Sequence, residues 1–238
     1  MLAMIRKQFL IQKNDLIGGA LLAAGAGLLG ILLLQIIYYV KPDAATEYVP
    51  LGTILAGFGA AIFAVAFIMV QLSMYFRLVV SMGGVRKYFL WAFLAVSLVQ
   101  TFVIYGVVLL IHLCDQFLNR GRYPEMKVVV DVWPYLLKWG VPVIVFVVIG
   151  STFLGALGMR FGKYAYGVLW VVWITLCLIF PRVMGAREEA PDSVFGRLGN
   201  AAIDFCSGIP GNLWTAAFLL FCAAAMLGTC RILRKSSV

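Results

Sequence analysis

Apolar residues in this chain come in long unbroken runs. Stretches such as GVVLLI and PVIVFVVIG contain no polar side chain. In lipid the backbone of such a run must satisfy its own hydrogen bonds, which only a helix or a closed barrel achieves. A transmembrane barrel alternates apolar and polar residues over segments of about ten, and no such alternation persists here. A helix needs about 20 apolar residues to cross a hydrocarbon core of about 30 Å. The candidate crossings are 16–40, 52–76, 89–113, 136–159, 164–180 and 213–229, the last two being short. The pattern predicts an all-α membrane protein, one transmembrane domain of six helices spanning residues 1–238.

Two further segments are amphipathic. The leader 1–15, MLAMIRKQFLIQKND, puts Leu2, Ile5 and Phe9 on one helical face with Arg6 and Lys13 opposite. That suits a helix lying flat on the inner leaflet; a basic flank that only fixes topology is the plainer alternative. The apolar run that follows is too long for a cleaved signal peptide, whose core is about 7–15 residues. Between the fifth and sixth spans, Val194, Leu198, Ala201, Ala202 and Phe205 recur at helical spacing, with Arg197, Asn200 and Asp204 on the other face. Asp192 or Ser193 is placed to cap its start, and Gly208 with Pro210 to end it. This reads as an outer amphipathic or re-entrant helix before the last span.

Composition agrees with the pattern. The 238 residues are 63% hydrophobic and 12% charged, against about 25% charged in a soluble domain. The net charge of +9 is explained by basic residues gathered on one side of a membrane, and no nucleic-acid partner is needed. With the N-terminus inside, the inner segments hold Arg6, Lys7, Lys13, Arg77, Arg86, Lys87, Arg160, Lys163, Arg231, Arg234 and Lys235, most of the 19 basic residues, in the shorter loops. Of the acidic residues only Asp15 falls inside. Both termini are therefore expected in the cytoplasm, the chain sitting in the plasma membrane. Tyr38, Tyr39, Tyr48, Tyr123, Trp133, Tyr135, Trp139 and Trp214 fall near the outer boundary, where aromatic rings anchor at the headgroups.

The chemistry-bearing residues are sparse. No expected span has Asp, Glu, Lys or Arg in its interior, which argues against an internal proton or ion relay. Gln35, Gln71, Gln100 and Thr101 are the polar positions of note, either hydrogen-bonding a neighbouring helix or lining a pathway. His112 is the only histidine and has no clustered partner for metal binding. No phosphate-binding loop is present, since Gly162-Lys163 is followed by Tyr164 and preceded by Leu157 where a glycine is needed. The five cysteines show no CxxC spacing; Cys114 and Cys206, both expected outside, could pair. No catalysis, metal or bound cofactor is expected of this chain, so energy must come from elsewhere.

The turn between the second and third spans is the most informative stretch. Ser81, Met82, Gly83, Gly84, Val85, Arg86, Lys87, Tyr88 and Phe89 put a flexible glycine pair ahead of two cations and two aromatics. Such a knob suits a concave partner surface, where Arg and aromatic side chains anchor binding. It resembles the turn S-x-G-x-x-R-K-x-F that follows the second span in the six-span permease subunits of ATP-binding-cassette exporters, the group that exports drugs, antibiotic peptides and polysaccharides. The amphipathic leader, the basic turn Arg160–Lys163 and the outer helical segment match that family over the whole length. The resemblance implies that Ser81–Phe89 is a coupling helix docking on a separate cytoplasmic ATPase subunit, which binds ATP and magnesium. It implies a second permease copy as partner in the bilayer, and a peptide, antibiotic or other amphipathic compound as cargo. A non-transporting assembly or immunity partner and a small secondary carrier are the rival readings.

Overall fold

The first element, α1 (Leu2–Val40), is one unbroken helix, where the sequence suggested a flat leader followed by a span. The reason lies in its inward stripe. Gln8, Gln12, Gly19, Ala23, Gly27, Gly30, Ile31, Leu34 and Tyr38 are buried along a single seam, at the three- and four-residue steps of a straight helix face. Phe9, of the leader's apolar face, is exposed while Gln8 and Gln12 are buried. The leader's amphipathicity is thus turned outside in, as suits a helix whose outer face meets lipid.

The computed structural model describes residues 2–40, 47–81, 86–122, 127–128, 131–189 and 192–235. After α1 come β1 (Glu47–Tyr48), α2 (Leu51–Ser81), α3 (Arg86–Arg122), β2 (Lys127–Val128), α4 (Trp133–Phe161), α5 (Lys163–Glu189), α6 (Val194–Gly208) and α7 (Gly211–Lys235). Five helical stretches are long and apolar enough to cross a membrane: Ile5–Val40, Leu51–Val80, Tyr88–Asn119, Trp133–Phe161 and Gly211–Lys235. The chain is a multi-pass, all-helical membrane protein. The short pairing of β1 with β2, parallel, ties the loop before α2 to the loop after α3.

α1, α2 and α3 pack as a trio, with α4 against α2 and α3, and α7 against α4. Small residues let α1 and α2 approach closely. A Cβ on Gly30 would stand 2.7 Å from the Leu51 carbonyl oxygen, and one on Gly52 would meet Ile31. Such small-residue seams drive helix association where lipid leaves no hydrophobic force to do so. Phe146 stacks on Phe221 and Gly228 lies against Phe153, so α4 and α7 run parallel. Ile232 and Leu233 join one apolar cluster with Phe76 and Phe89. The start of α1, the α2–α3 turn and the end of α7 therefore share one end of the bundle, called here the terminal end.

α5 and α6 pack on each other, and α5 meets α4 near their shared turn. That turn is a single residue: Gly162 has φ +62° and donates its N–H to the Gly158 carbonyl at 2.8 Å. The left-handed backbone there favours glycine. α6 starts where the sequence placed it, with the Ser193 hydroxyl accepting the Gly196 N–H at 3.0 Å in an N-cap.

Candidate functional site

Polar side chains inside the trio form two layers, separated by an apolar band of Ala23, Ile31, Ala56, Ile104, Val108 and Ile111. One layer lies at the far end, around Asp115 on α3. The other lies toward the terminal end, around Asp15 on α1. Along α3 the residues of the two layers, Gln100 and Asp115, are separated by about 22 Å at 1.5 Å per residue.

The far layer is closely knit. Asp115 is fully buried. Its Oδ2 accepts the Thr53 backbone N–H at 3.3 Å, and its Oδ1 accepts the Asn119 Nδ2 at 2.8 Å. Thr53 lies in the first turn of α2, where amides have no partner within the helix and the helix dipole favours an anion. Asp115 is thus an N-cap supplied by another helix, which explains how a carboxylate tolerates this position. Asn119 also donates to the Asp115 carbonyl and accepts from Gln35 Nε2 at 3.0 Å. The Thr53 hydroxyl lies 2.8 Å from His112 Nδ1, and Gln116 Nε2 lies 2.9 Å from His112 Nε2. An amide nitrogen only donates, so this arrangement makes Nε2 the acceptor and places the imidazole proton on Nδ1, directed at Thr53. Trp133 stacks on the ring at 5.5 Å. Tyr48, on β1, is buried beside this layer. Burial first, and the Asp115 charge second, hold its phenol well above the ordinary tyrosine range.

The terminal layer is looser. Asp15 Oδ2 accepts from Gln71 Nε2 at 2.6 Å and from the Tyr75 hydroxyl at 3.1 Å. Gln100 Nε2 donates to the Gln12 carbonyl at 2.9 Å, tying α3 to α1. Gln8 Nε2, both amide ends of Gln12, Gln71 Oε1 and Ser97 Oγ are buried without a hydrogen-bond partner. A small cavity of about 10 Å³ opens among Asp15, Gln71, Gln100 and Thr101.

The polar residues singled out in the sequence are thus interhelical in three cases of four. Gln35 reaches α3, Gln71 reaches α1, and Gln100 reaches the α1 backbone, while Thr101 donates to its own helix at the Ser97 carbonyl, 2.8 Å away. Asp15 and Asp115 stood just outside the expected boundaries Leu16 and Leu113; the helices run on past both, and both fall within stretches long and apolar enough to cross. Tyr38 and Tyr48 are buried and so are not headgroup anchors; Trp133 is partly exposed and packs on His112. Tyr39, Tyr135, Trp139 and Trp214 are exposed, as anchors require.

Of the proposed docking turn, Ser81 ends α2 and Arg86 and Lys87 begin α3. Met82, Gly83, Gly84 and Val85 lie outside the described residues, as do the side chains of Ser81, Arg86 and Lys87. Tyr88 is half exposed, available to a partner. Phe89 is not. It is fully buried, edge-on to Phe76 at 5.7 Å and stacked on Phe93 at 5.8 Å, because the α3 seam turns it into the core. Cys114 is an exposed free thiol, and the Cys206 side chain lies outside the described residues. No family model matches the sequence, and no curated protein or solved structure is significantly similar to it.

Proposed function

We propose that the chain is the membrane-spanning permease subunit of an ATP-binding-cassette exporter, paired with a second permease and driven by a separate ATPase at its terminal end. The observation that carries this reading is the basic surface at that end. Lys13, Arg77, Arg160, Arg231, Arg234 and Lys235 are all exposed on the segments that converge there, around a four-residue link between two long apolar helices. The positive-inside rule assigns such an end to the cytoplasm, where a cytosolic engine can reach it. Arg86, Lys87 and half-exposed Tyr88 then form the contact, with Phe89 anchoring the turn to the core beneath. α5 supplies the sixth crossing; its 27 residues extend about 40 Å, more than the hydrocarbon core requires. α6 lies at the outer surface. Exposed Val194, Leu198 and Phe205 suit contact with lipid or with a partner.

Co-purification from native membranes tests this reading. The chain should bring down an ATPase subunit, and Arg86→Glu combined with Gly84→Pro should abolish that association and ATP-dependent export. Retention of both would sink the proposal.

The two acids within the spans favour a second reading, an ion-coupled carrier, since acids there mark ion pathways by default. Transport in proteoliposomes that follows an ion gradient without ATP would select it.

A further inference from the structure

We infer that the terminal layer is a binding site for one small monovalent cation, sodium, held by Asp15 between α1, α2 and α3. The inference stands on the geometry of the trio and is independent of the exporter reading.

The carboxylate is the first argument. Asp15 lies within a membrane-crossing stretch, and no Lys or Arg among the described residues pairs with it. Lys13 and Arg77, the nearest cations in sequence, are exposed. Both of its hydrogen bonds fall on Oδ2, leaving Oδ1 with none. That leaves Oδ1 open to a cation, for which a carboxylate oxygen is a hard donor.

The orphaned oxygens are the second argument. Gln71 gives its amide nitrogen to Asp15, which leaves its Oε1 buried and unbonded. Gln12 Oε1 and Ser97 Oγ are likewise unbonded, though neither residue lines the cavity. Gln12 is fully buried and Gln71 nearly so. A buried acceptor without a partner is destabilising, and a cation satisfies it. Carboxylate, amide and hydroxyl oxygens are a hard donor set, suited to hard cations.

Size and charge narrow the ligand. The cavity of about 10 Å³ among Asp15, Gln71, Gln100 and Thr101 is room for one water-sized occupant. One carboxylate balances one positive charge, and no group of three His, Cys, Asp or Glu side chains exists among the described residues to hold a divalent metal. The titratable groups facing the site are few: Asp15 from α1 and Tyr75 from α2, while α3 presents only neutral Ser97, Gln100 and Thr101.

Thermal unfolding of the purified full-length chain in lipid nanodiscs tests the inference, with sodium chloride titrated against choline chloride at constant ionic strength. Specific binding raises the unfolding temperature saturably by a few degrees in sodium and not in choline. Asp15→Asn abolishes that response, Gln71→Leu weakens it, and Asp192→Asn leaves it intact. Should Asp15→Asn fail to fold, Thr101→Ala and Gln71→Leu carry the comparison. A stability equal in sodium and choline would overturn the inference, leaving water as the occupant.

Discussion

Replacing Asp115 by alanine removes the anion at the start of α2 and the acceptor that orders Asn119. The Asn119 bond at 2.8 Å is short and charge-assisted, worth about 1.5–3 kcal/mol in general. The Thr53 bond at 3.3 Å is long and belongs at or below the bottom of that range. The interaction of a buried anion with the helix dipole adds about 0.3–1 kcal/mol. Against these stand the desolvation of the carboxylate, which the mutation relieves, and the lower yield of polar pairs in membrane helices, about 0.6 kcal/mol on average. Asn119 also keeps its bond to the residue 115 carbonyl, so alanine orphans its second amide hydrogen and the α2 amides of Gly52 and Thr53. The net expectation is a loss of about 2 kcal/mol for Asp115→Ala. Asp115→Asn, which keeps one acceptor oxygen but no charge, should lose about 1 kcal/mol. Denaturant-induced unfolding in mixed micelles measures both, and hydrogen exchange at the Gly52 and Thr53 amides reports whether the start of α2 has frayed. If Asp115→Ala is no more destabilising than the exposed-site control Asp192→Ala, and those amides stay protected, the capping argument fails.

Three other outcomes follow from the packing. Because Tyr48 binds its proton more tightly folded than unfolded, stability should be full below the ordinary tyrosine value, near pH 10, and fall as pH rises above it. Tyr48→Phe should flatten that part of the stability–pH curve, and an unchanged slope would contradict the burial argument. Gly30→Leu should disrupt the α1–α2 seam, since even a Cβ there meets the Leu51 carbonyl at 2.7 Å. It should cost about 1–3 kcal/mol or more, whereas Gly18→Ala, with nothing within 4 Å, should be tolerated in the same unfolding assay. Phe89→Ala should cost about 3–5 kcal/mol as a core truncation while Tyr88→Ala stays within about 0.5 kcal/mol. Equal effects in thermal unfolding would mean that Phe89 is not the anchor of the turn.

What the sequence could tell was set by the solvent each pattern answers to. Apolar runs report contact with lipid or protein without distinguishing them, so the helices were legible while their inner faces were not. The leader shows this. Its apolar face at Ile5 and Phe9 was readable, but the choice of Gln8 and Gln12 as the face toward the bundle depends on packing against distant helices, including the bond from Gln100 of α3 to the Gln12 carbonyl. The small-residue run GGALLAAGAGLLG is a local feature, and its last glycine, Gly30, packs against Gly52. Gly162 ended a helix where a positive φ was needed, and Ser193 capped the next; both are local signals, complete within a few residues.

The two acids escaped notice for a different reason. Hydropathy places a span's end where charge begins, so an acid at the boundary is assigned to water. Asp115 instead lies beneath the start of α2, some 60 residues earlier in sequence. Its counter-interaction, a helix N-terminus brought alongside by the Gly30–Gly52 approach, is invisible to any local window. Asp15 belongs to the same class, since the groups that hold it, Gln71 and Tyr75, come from the far end of the next helix. An acid at an apparent span boundary followed by an unbroken helical pattern is therefore the sequence signal to pursue. In this trio it marks both places where charge enters the apolar interior. The two are not equivalent: both oxygens of the far acid accept hydrogen bonds beside a helix N-terminus, whereas the bonds to the terminal acid fall on one oxygen alone. That asymmetry makes the first a fastener and leaves the second an acceptor still open to a ligand.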